Sequence, residues 1–251
     1  MIRTKPLDMN DLTRPDFYEI AAHYDELFGP SWPPVPCRRW EYVAAIVFSE
    51  INQEMGVRKN IKACDAGSGM RSRFTHYLGA LGFDTHGFDM HASGTKNLPF
   101  GNTVTYHPMS MVDIKFPDSH FNYVFAMSSI EHVNAPPKFP IKGLAFDIGD
   151  TTAMLELCRI LKPGGVLVLT TDYAKEYIQP PGPVKSGKRN GCHRVYDWGT
   201  LLHRLINPAV REHGMRLWGG FESKCDWKNI HKIEPVGWPY TEFIFTLKKT
   251  K

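Results

Sequence analysis

Residues Ile61-Lys62-Ala63-Cys64-Asp65-Ala66-Gly67-Ser68-Gly69-Met70 constrain the fold more than any other stretch of the chain. A short apolar run ends in an acid, and a turn of small residues follows. Phe74, Tyr77, Leu78 and Leu81 then recur at helical spacing. The pattern predicts strand, tight glycine turn and helix, the opening of a nucleotide-binding βαβ unit. Gly67 and Gly69 lack a Cβ, so a ligand can lie against the backbone. The free N–H groups of the helix start point at it.

Two details narrow the ligand. A dinucleotide fingerprint G-x-G-x-x-G needs its third glycine at position 72, where this chain has Ser72, which counts against NAD or FAD. Asp65 precedes the turn; a carboxylate there repels a pyrophosphate but suits a ligand with an ammonium group. About twenty residues on, Gly87-Phe88-Asp89 ends the next apolar run with an acid able to accept both ribose hydroxyls. The pair Asp65 and Asp89 resembles motif I and the second-strand acid of class I S-adenosylmethionine-dependent methyltransferases. Arg71 departs from that pattern, which often has a small residue there.

Other segments carry the same resemblance. Residues 17–28, FYEIAAHYDELF, are similar to the opening of many small-molecule methyltransferases of the type 11-like kind. Residues 116–133, FPDSHFNYVFAMSSIEHV, resemble the stretch around the family's fourth strand, with Asn122 where aspartate is usual and Lys115 where proline is usual. Residues 154–169, from Met154 through the Lys162-Pro163-Gly164-Gly165 turn to Leu169, resemble the family's helix, turn and fifth strand. Cys192-His193-Arg194-Val195-Tyr196 resembles the segment before a late helix. The resemblance covers roughly residues 17–247. It implies an α/β fold, a Rossmann-like seven-stranded sheet with helices on both faces and the last strand antiparallel. It also implies S-adenosylmethionine as cofactor, held by Tyr24, Asp65, Ala66, Gly67, Ser68, Gly69, Asp89, Met90, Ser110, Met111 and Ser128.

Composition sets outer bounds. A chain of 251 residues fits one α/β domain with additions and can bury a full core. A hydrophobic share of 42% and a charged share of 22% belong to a globular chain. The net charge of +4 neither demands nor excludes an anionic partner. The five cysteines form no C-x-x-C pair, which suggests free thiols in a reducing, cytoplasmic setting. No signal peptide and no membrane span are expected.

The chain divides into an N-terminal helical cap, 1–57, and a cofactor-binding domain, 58–251, within one structural unit. Residues 1–14 read as irregular, Pro15–Phe28 and Arg38–Gly56 as helices, and Asp150 as the cap of helix Thr151–Leu161. Late elements are a helix over 200–206 and strands over 215–221 and 240–247. Residues 134–149 and 174–194 are long insertions at the rim where ligands bind.

Methyl transfer requires alignment of the acceptor and removal of its proton. Histidine suits a base near neutral pH. The candidates are His132, directly after the fourth strand, and His193, with Asp172 as a possible helper. The structural alternatives are bracing of the cofactor pocket by Glu131-His132 and a surface-loop role for His193. A metal held by Asp147, Asp150 and Asp172 does not follow from spacing. The N-P-P-Y tetrad of base amino-methyltransferases is absent after the fourth strand, which disfavours nucleic acid; Lys185, Lys188 and Arg189 read as a solvated loop. The resulting expectation is a methyltransferase acting on a hydroxyl or amine of a small polar molecule, such as a sugar derivative. The alternatives are a cofactor-binding regulatory protein without transfer activity and a methyltransferase acting on a macromolecule. Trp32, Phe139 and Phe146 would supply aromatic walls at the rim.

The basic, glycine-rich 174–194 loop is expected to close over the acceptor. Limited proteolysis should cut near Lys185–Arg189 in the free protein and less with cofactor and acceptor both bound. Equal protection in the two states would leave the loop a fixed surface feature.

Overall fold

The computed structural model describes residues 1–29, 36–54, 58–69, 72–98, 102–133, 148–178, 194–222, 225, 231–233 and 238–250. His193, Trp32, Phe139, Phe146, Asp147 and the Lys185–Arg189 cluster lie outside the described residues.

The apolar run at residue 61 forms β2, Lys62–Ala66, and the next runs form β3, Asp84–Asp89, and β5, Thr103–Pro108. Together with β6, Phe121–Met127, and β7, Leu161–Tyr173, they make a parallel sheet in the order β5-β3-β2-β6-β7. β11, Trp238–Lys249, closes it antiparallel to β7. β8, Met215–Leu217, pairs antiparallel with the end of β11, so seven strands make up the expected set. Four short strands extend it: β1, Ile2–Pro6; β4, Gly94–Asn97; β9, Gly220–Phe221; and β10, His231–Ile233.

Strand alternation divides the core into two layers. Tyr123, Phe125, Val166, Val168 and Ile244 face α1, Pro15–Phe28, α2, Pro36–Ser49, and α3, Arg73–Ala80. Val124, Ala126, Leu167, Leu169, Phe243 and Leu247 face α4, Gly149–Ile160, and the late helices. Burial on both faces explains why these strands read as nearly continuous apolar runs.

Several expectations are corrected. Residues 1–14 are not irregular: β1 pairs antiparallel with β11 (Lys5 opposite Ile244) and leads into a 3-10 turn over Met9–Thr13. Charge at alternate positions hides this strand from a hydrophobic pattern. The charges are neutralised inside the fold: Lys5 Nζ lies 3.1 Å from Asp11, Trp40 Nε1 donates to Asp11 at 3.0 Å, and the Arg3 guanidinium lies 3.9 Å from the Trp218 ring centre. α2 stops at Ser49 rather than near Gly56, because Glu50 turns into the left-handed region at φ 58°. The polar link after Asp89 contains β4 at the sheet edge.

Asp150 does not cap α4; it lies inside the helix, fully buried. It accepts hydrogen bonds from Tyr196 Oη at 2.8 Å and from Arg204 at 2.7 and 2.6 Å. The late helix runs past 206. α5, Trp198–Leu201, starts on an Asp197–Thr200 capping box, a π turn covers Leu202–Ile206, and α6, Asn207–His213, follows. Pro208 cannot donate a backbone hydrogen bond, and the wide turn just before it absorbs that loss. Gly219, at φ 92°, splits the expected strand 215–221 in two.

A histidine cluster joins β3, β5 and the start of β6 away from the glycine turn. His86 Nδ1 lies 3.0 Å from His107 Nε2, His86 Nε2 lies 3.2 Å from Asp84, and His120 Nε2 lies 3.1 Å from Lys62 Nζ. Burial lowers the pKa of all three rings below 6.5; the charges of Lys62 and of neighbouring rings add to this for His86, where Asp84 opposes it. The unfolded rings take up protons near 6.5 and the folded ones only lower, so their contribution to stability is complete above 6.5 and is lost as pH falls below it. The raised carboxyl of Asp65 acts in the opposite sense, so the readout is a difference between variants. Resistance to urea unfolding should weaken between about pH 7.5 and about pH 5.5 by less in His107→Gln than in the parent. An equal pH response in both proteins would contradict this.

Candidate functional site

The turn between β2 and α3 is built on β3. Gly67 and Ser68 donate to the Phe88 carbonyl at 2.8 and 3.1 Å. Gly67 sits at φ 72°, and a Cβ there would meet Met111 Cε at 2.5 Å and Ser129 Cβ at 2.6 Å. Both backbone conformation and space therefore require glycine at this position. Asp65 lies behind the turn, buried. Its Oδ2 accepts from Ser72 Oγ at 2.8 Å and from Thr75 Oγ1. Ser72 Oγ in turn accepts from the Thr75 N–H at 3.2 Å and caps α3. Burial pushes the Asp65 pKa up to about 6; the hydrogen bonds from Thr75 and Ser72 oppose that shift and Asp89 adds to it.

Beside the turn is a cavity of about 380 Å³, within the usual range for small-molecule sites. It lies at the carboxyl ends of four adjacent parallel strands, where open α/β sheets hold ligands. Gly67 comes from the end of β2, and Phe88, Asp89 and Met90 from the end of β3. Met109, Ser110 and Met111 follow β5, and Ser128, Ser129, His132 and Val133 follow β6. Asp89 is half-buried; its two oxygens accept from the N–H groups of Gly69 at 3.2 Å and His91 at 3.3 Å.

The segment after β6 is held from several sides. Ser128 has φ 41°, a left-handed conformation that costs a non-glycine residue roughly 1–2 kcal/mol. Its N–H donates to Thr170 Oγ1 at 2.9 Å, and its hydroxyl donates to Glu41. Ser129 Oγ donates to the Ala66 carbonyl at 3.0 Å. A 3-10 turn, Ile130–His132, follows. Buried Glu131 accepts from Thr171 Oγ1 at 3.3 Å, and its Oε1 lies 3.8 Å from His132 Nε2. Burial first, and the charge of Asp172 second, push the Glu131 carboxyl well above its ordinary range. Fully buried Arg194 braces the turn, donating to the Val133 carbonyl at 2.8 Å.

Of the residues expected from sequence, Gly67, Asp89, Met90, Ser110, Met111, Ser128 and His132 border the cavity. Asp65, Ala66, Ser68 and Gly69 instead shape the turn beside it. Tyr24 is buried in an aromatic cluster, its ring centre 4.9 Å from Phe28 and 5.3 Å from Tyr77. Asp172 is buried in β7, opposite Glu242 in register. Phe88, Met109, Ser129 and Val133 were missed, although Phe88 and Ser129 adjoin residues that had been named. Among the described residues, no group of three or more His, Cys, Asp or Glu is placed to hold a metal ion.

A sequence profile described as a methyltransferase domain matches residues 39–218. The chain belongs to the methyltransferase domain family. Two solved structures share the fold at low identity. One is a 1,6-didemethyltoxoflavin-N1-methyltransferase from Burkholderia thailandensis with bound 1,6-didemethyltoxoflavin and S-adenosylhomocysteine. It is 14% identical, covers 98% of this chain and 94% of its own, and has a TM-score of 0.53. The other is an S-adenosylmethionine-dependent methyltransferase from Methanosarcina mazei, 14% identical, with 75% and 92% coverage and a TM-score of 0.51. No curated protein matches the chain by sequence. The mostly parallel sheet with an antiparallel last strand is the methyltransferase fold expected from the sequence. No helix among the described residues is long and apolar enough to cross a membrane.

Proposed function

We propose that this methyltransferase-family chain binds S-adenosylmethionine in the cavity beside the glycine turn and moves its methyl group to a hydroxyl or amine of a small polar acceptor. The observation that carries the reading is the pairing, in one cavity, of a carboxylate at the end of β3 with a histidine after β6. The residues fit the cofactor. Asp89 can accept the ribose hydroxyls, Met90 and Met111 give apolar walls for the adenine, and Ser110 gives it a polar edge. The turn of Ser128 and Ser129 is left for the methionine end. Asp65 fixes the turn through its contacts with Ser72 and Thr75.

When bound, the cofactor supplies an electrophilic methyl on a sulfonium. The protein's share is alignment and proton removal. His132, about half-exposed at the cavity edge, is the base in this reading. Its neighbour Glu131, its carboxyl held toward the protonated form by burial and by Asp172, lies 3.8 Å from His132 Nε2 and helps to place the ring. Asp172 serves at one remove, through its charge on Glu131. The rim segments 134–149 and 174–194, His193 included, would choose the acceptor. A sugar derivative remains one acceptor of this kind, and the Burkholderia neighbour, named for methylation at N1 of 1,6-didemethyltoxoflavin, keeps nitrogen acceptors open as well.

Incubation with S-adenosylmethionine and a panel of hydroxylated and amine metabolites should yield S-adenosylhomocysteine only with the right acceptor present. Cofactor binding without turnover across a broad panel would instead favour a binding protein without transfer activity. Asp89→Ala should weaken cofactor binding by about 1–3 kcal/mol, the cost of unpaired hydrogen-bonding groups. His132→Ala should cut turnover by about 10²–10⁴-fold with cofactor affinity little changed. Loss of cofactor affinity in His132→Ala would make that residue a brace rather than a base.

A further inference from the structure

The wall of the cavity formed by the turn after β6 is tied to α2, an element outside the strand-and-turn pattern that defines the site. Glu41 is fully buried in α2. Its two carboxylate oxygens are both engaged: Oε1 accepts from the Ser128 hydroxyl, and Oε2 accepts from Arg38 at 2.9 Å. Ser128 borders the cavity and is the only non-glycine residue there, among the described residues, with a left-handed backbone. Its N–H is clamped on β7 by Thr170 Oγ1 at 2.9 Å, while its side chain is clamped on α2 by Glu41. The next residue of α2 in the N-terminal direction, Trp40, is fixed by Asp11 at 3.0 Å, and Asp11 also pairs with Lys5 of β1. The N-terminal strand, α2 and the turn that carries His132 are thus joined by buried polar contacts.

A carboxylate buried in an apolar helix face costs stability unless its charge does a specific job. We infer that Glu41 is a positioning residue. It holds Ser128 in its left-handed conformation and so sets the cavity wall on the side of Ser129 and His132. It does not touch the cofactor itself. The inference rests on the reading of this cavity as the S-adenosylmethionine site. A hydrogen bond to an ionised carboxylate is among the stronger kinds, so its loss should be visible in binding.

Calorimetric titration with S-adenosylhomocysteine tests it, with thermal melting run on each protein. The parent is titrated first; no binding by the parent would overturn the reading of the cavity. If the parent binds, Ser128→Ala should lose about tenfold or more in affinity, because a Cβ remains in the left-handed region without its side-chain tether to Glu41. Ser128→Gly should lose less, since glycine adopts that conformation without help. Glu41→Ala should lose affinity to about the same degree as Ser128→Ala, and the double variant should be no worse than either alone. Glu41→Gln keeps an acceptor for the hydroxyl and should recover most of the affinity. Affinity unchanged from the parent in Ser128→Ala would overturn the inference. So would equal losses in Ser128→Ala and Ser128→Gly, or additive losses in the double variant; each would leave Glu41 a purely structural residue. If Glu41→Ala fails to fold, the comparison of Ser128→Ala with Ser128→Gly decides the matter alone.

Discussion

The buried carboxylate of Asp65 is the contact on which the site depends. It sits at the end of β2 and accepts the hydroxyls of Ser72 and Thr75 at the start of α3. Strand and helix are therefore locked across a turn that has room for glycine only, at Gly67. The turn leans on β3 through the Phe88 carbonyl and meets the segments after β5 and β6 through Met111 and Ser129. Four strand ends converge on one cavity because this turn is tight. Asp65 thus holds the start of α3 through two hydroxyls, and Asp89, one strand over, borders the cavity.

The parts of the fold written in apolar periodicity were legible. β2, β6 and β7 are buried on both faces, so their continuous apolar runs marked them as central strands. The glycine turn and the acid at the end of β3 marked the site, because backbone conformation and strand ends restrict residue type there. What stayed hidden was held by charges satisfied at a distance in sequence. β1 carries Arg3 and Lys5, which find Glu50 and Asp11. Asp150 looked like a helix cap because caps are local; its partners, Tyr196 and Arg204, are 46 and 54 residues away. Glu41 gave no signal at all, since its partner Ser128 is 87 residues on.

The same logic separates the site's two halves. The cofactor side is made of backbone turns and strand ends, and the match to the methyltransferase domain family spans residues 39–218. On the other side of the cavity stands the turn Ile130–His132, tied through Ser128 to α2. There the polar contacts are long-range: Glu41 to Ser128, Arg194 to the Val133 carbonyl, Asp150 to Arg204. Such contacts fix an individual site without leaving a local motif, which is why the chain's chemistry is clearer than its acceptor.

A crystal structure of the chain with S-adenosylhomocysteine tests the central claim most directly. The account predicts the ribose hydroxyls on the Asp89 carboxylate, the adenine between Met90 and Met111, and the methionine end against the turn of Ser128 and Ser129. A ligand bound elsewhere, or one in this cavity with its ribose away from Asp89, would contradict it.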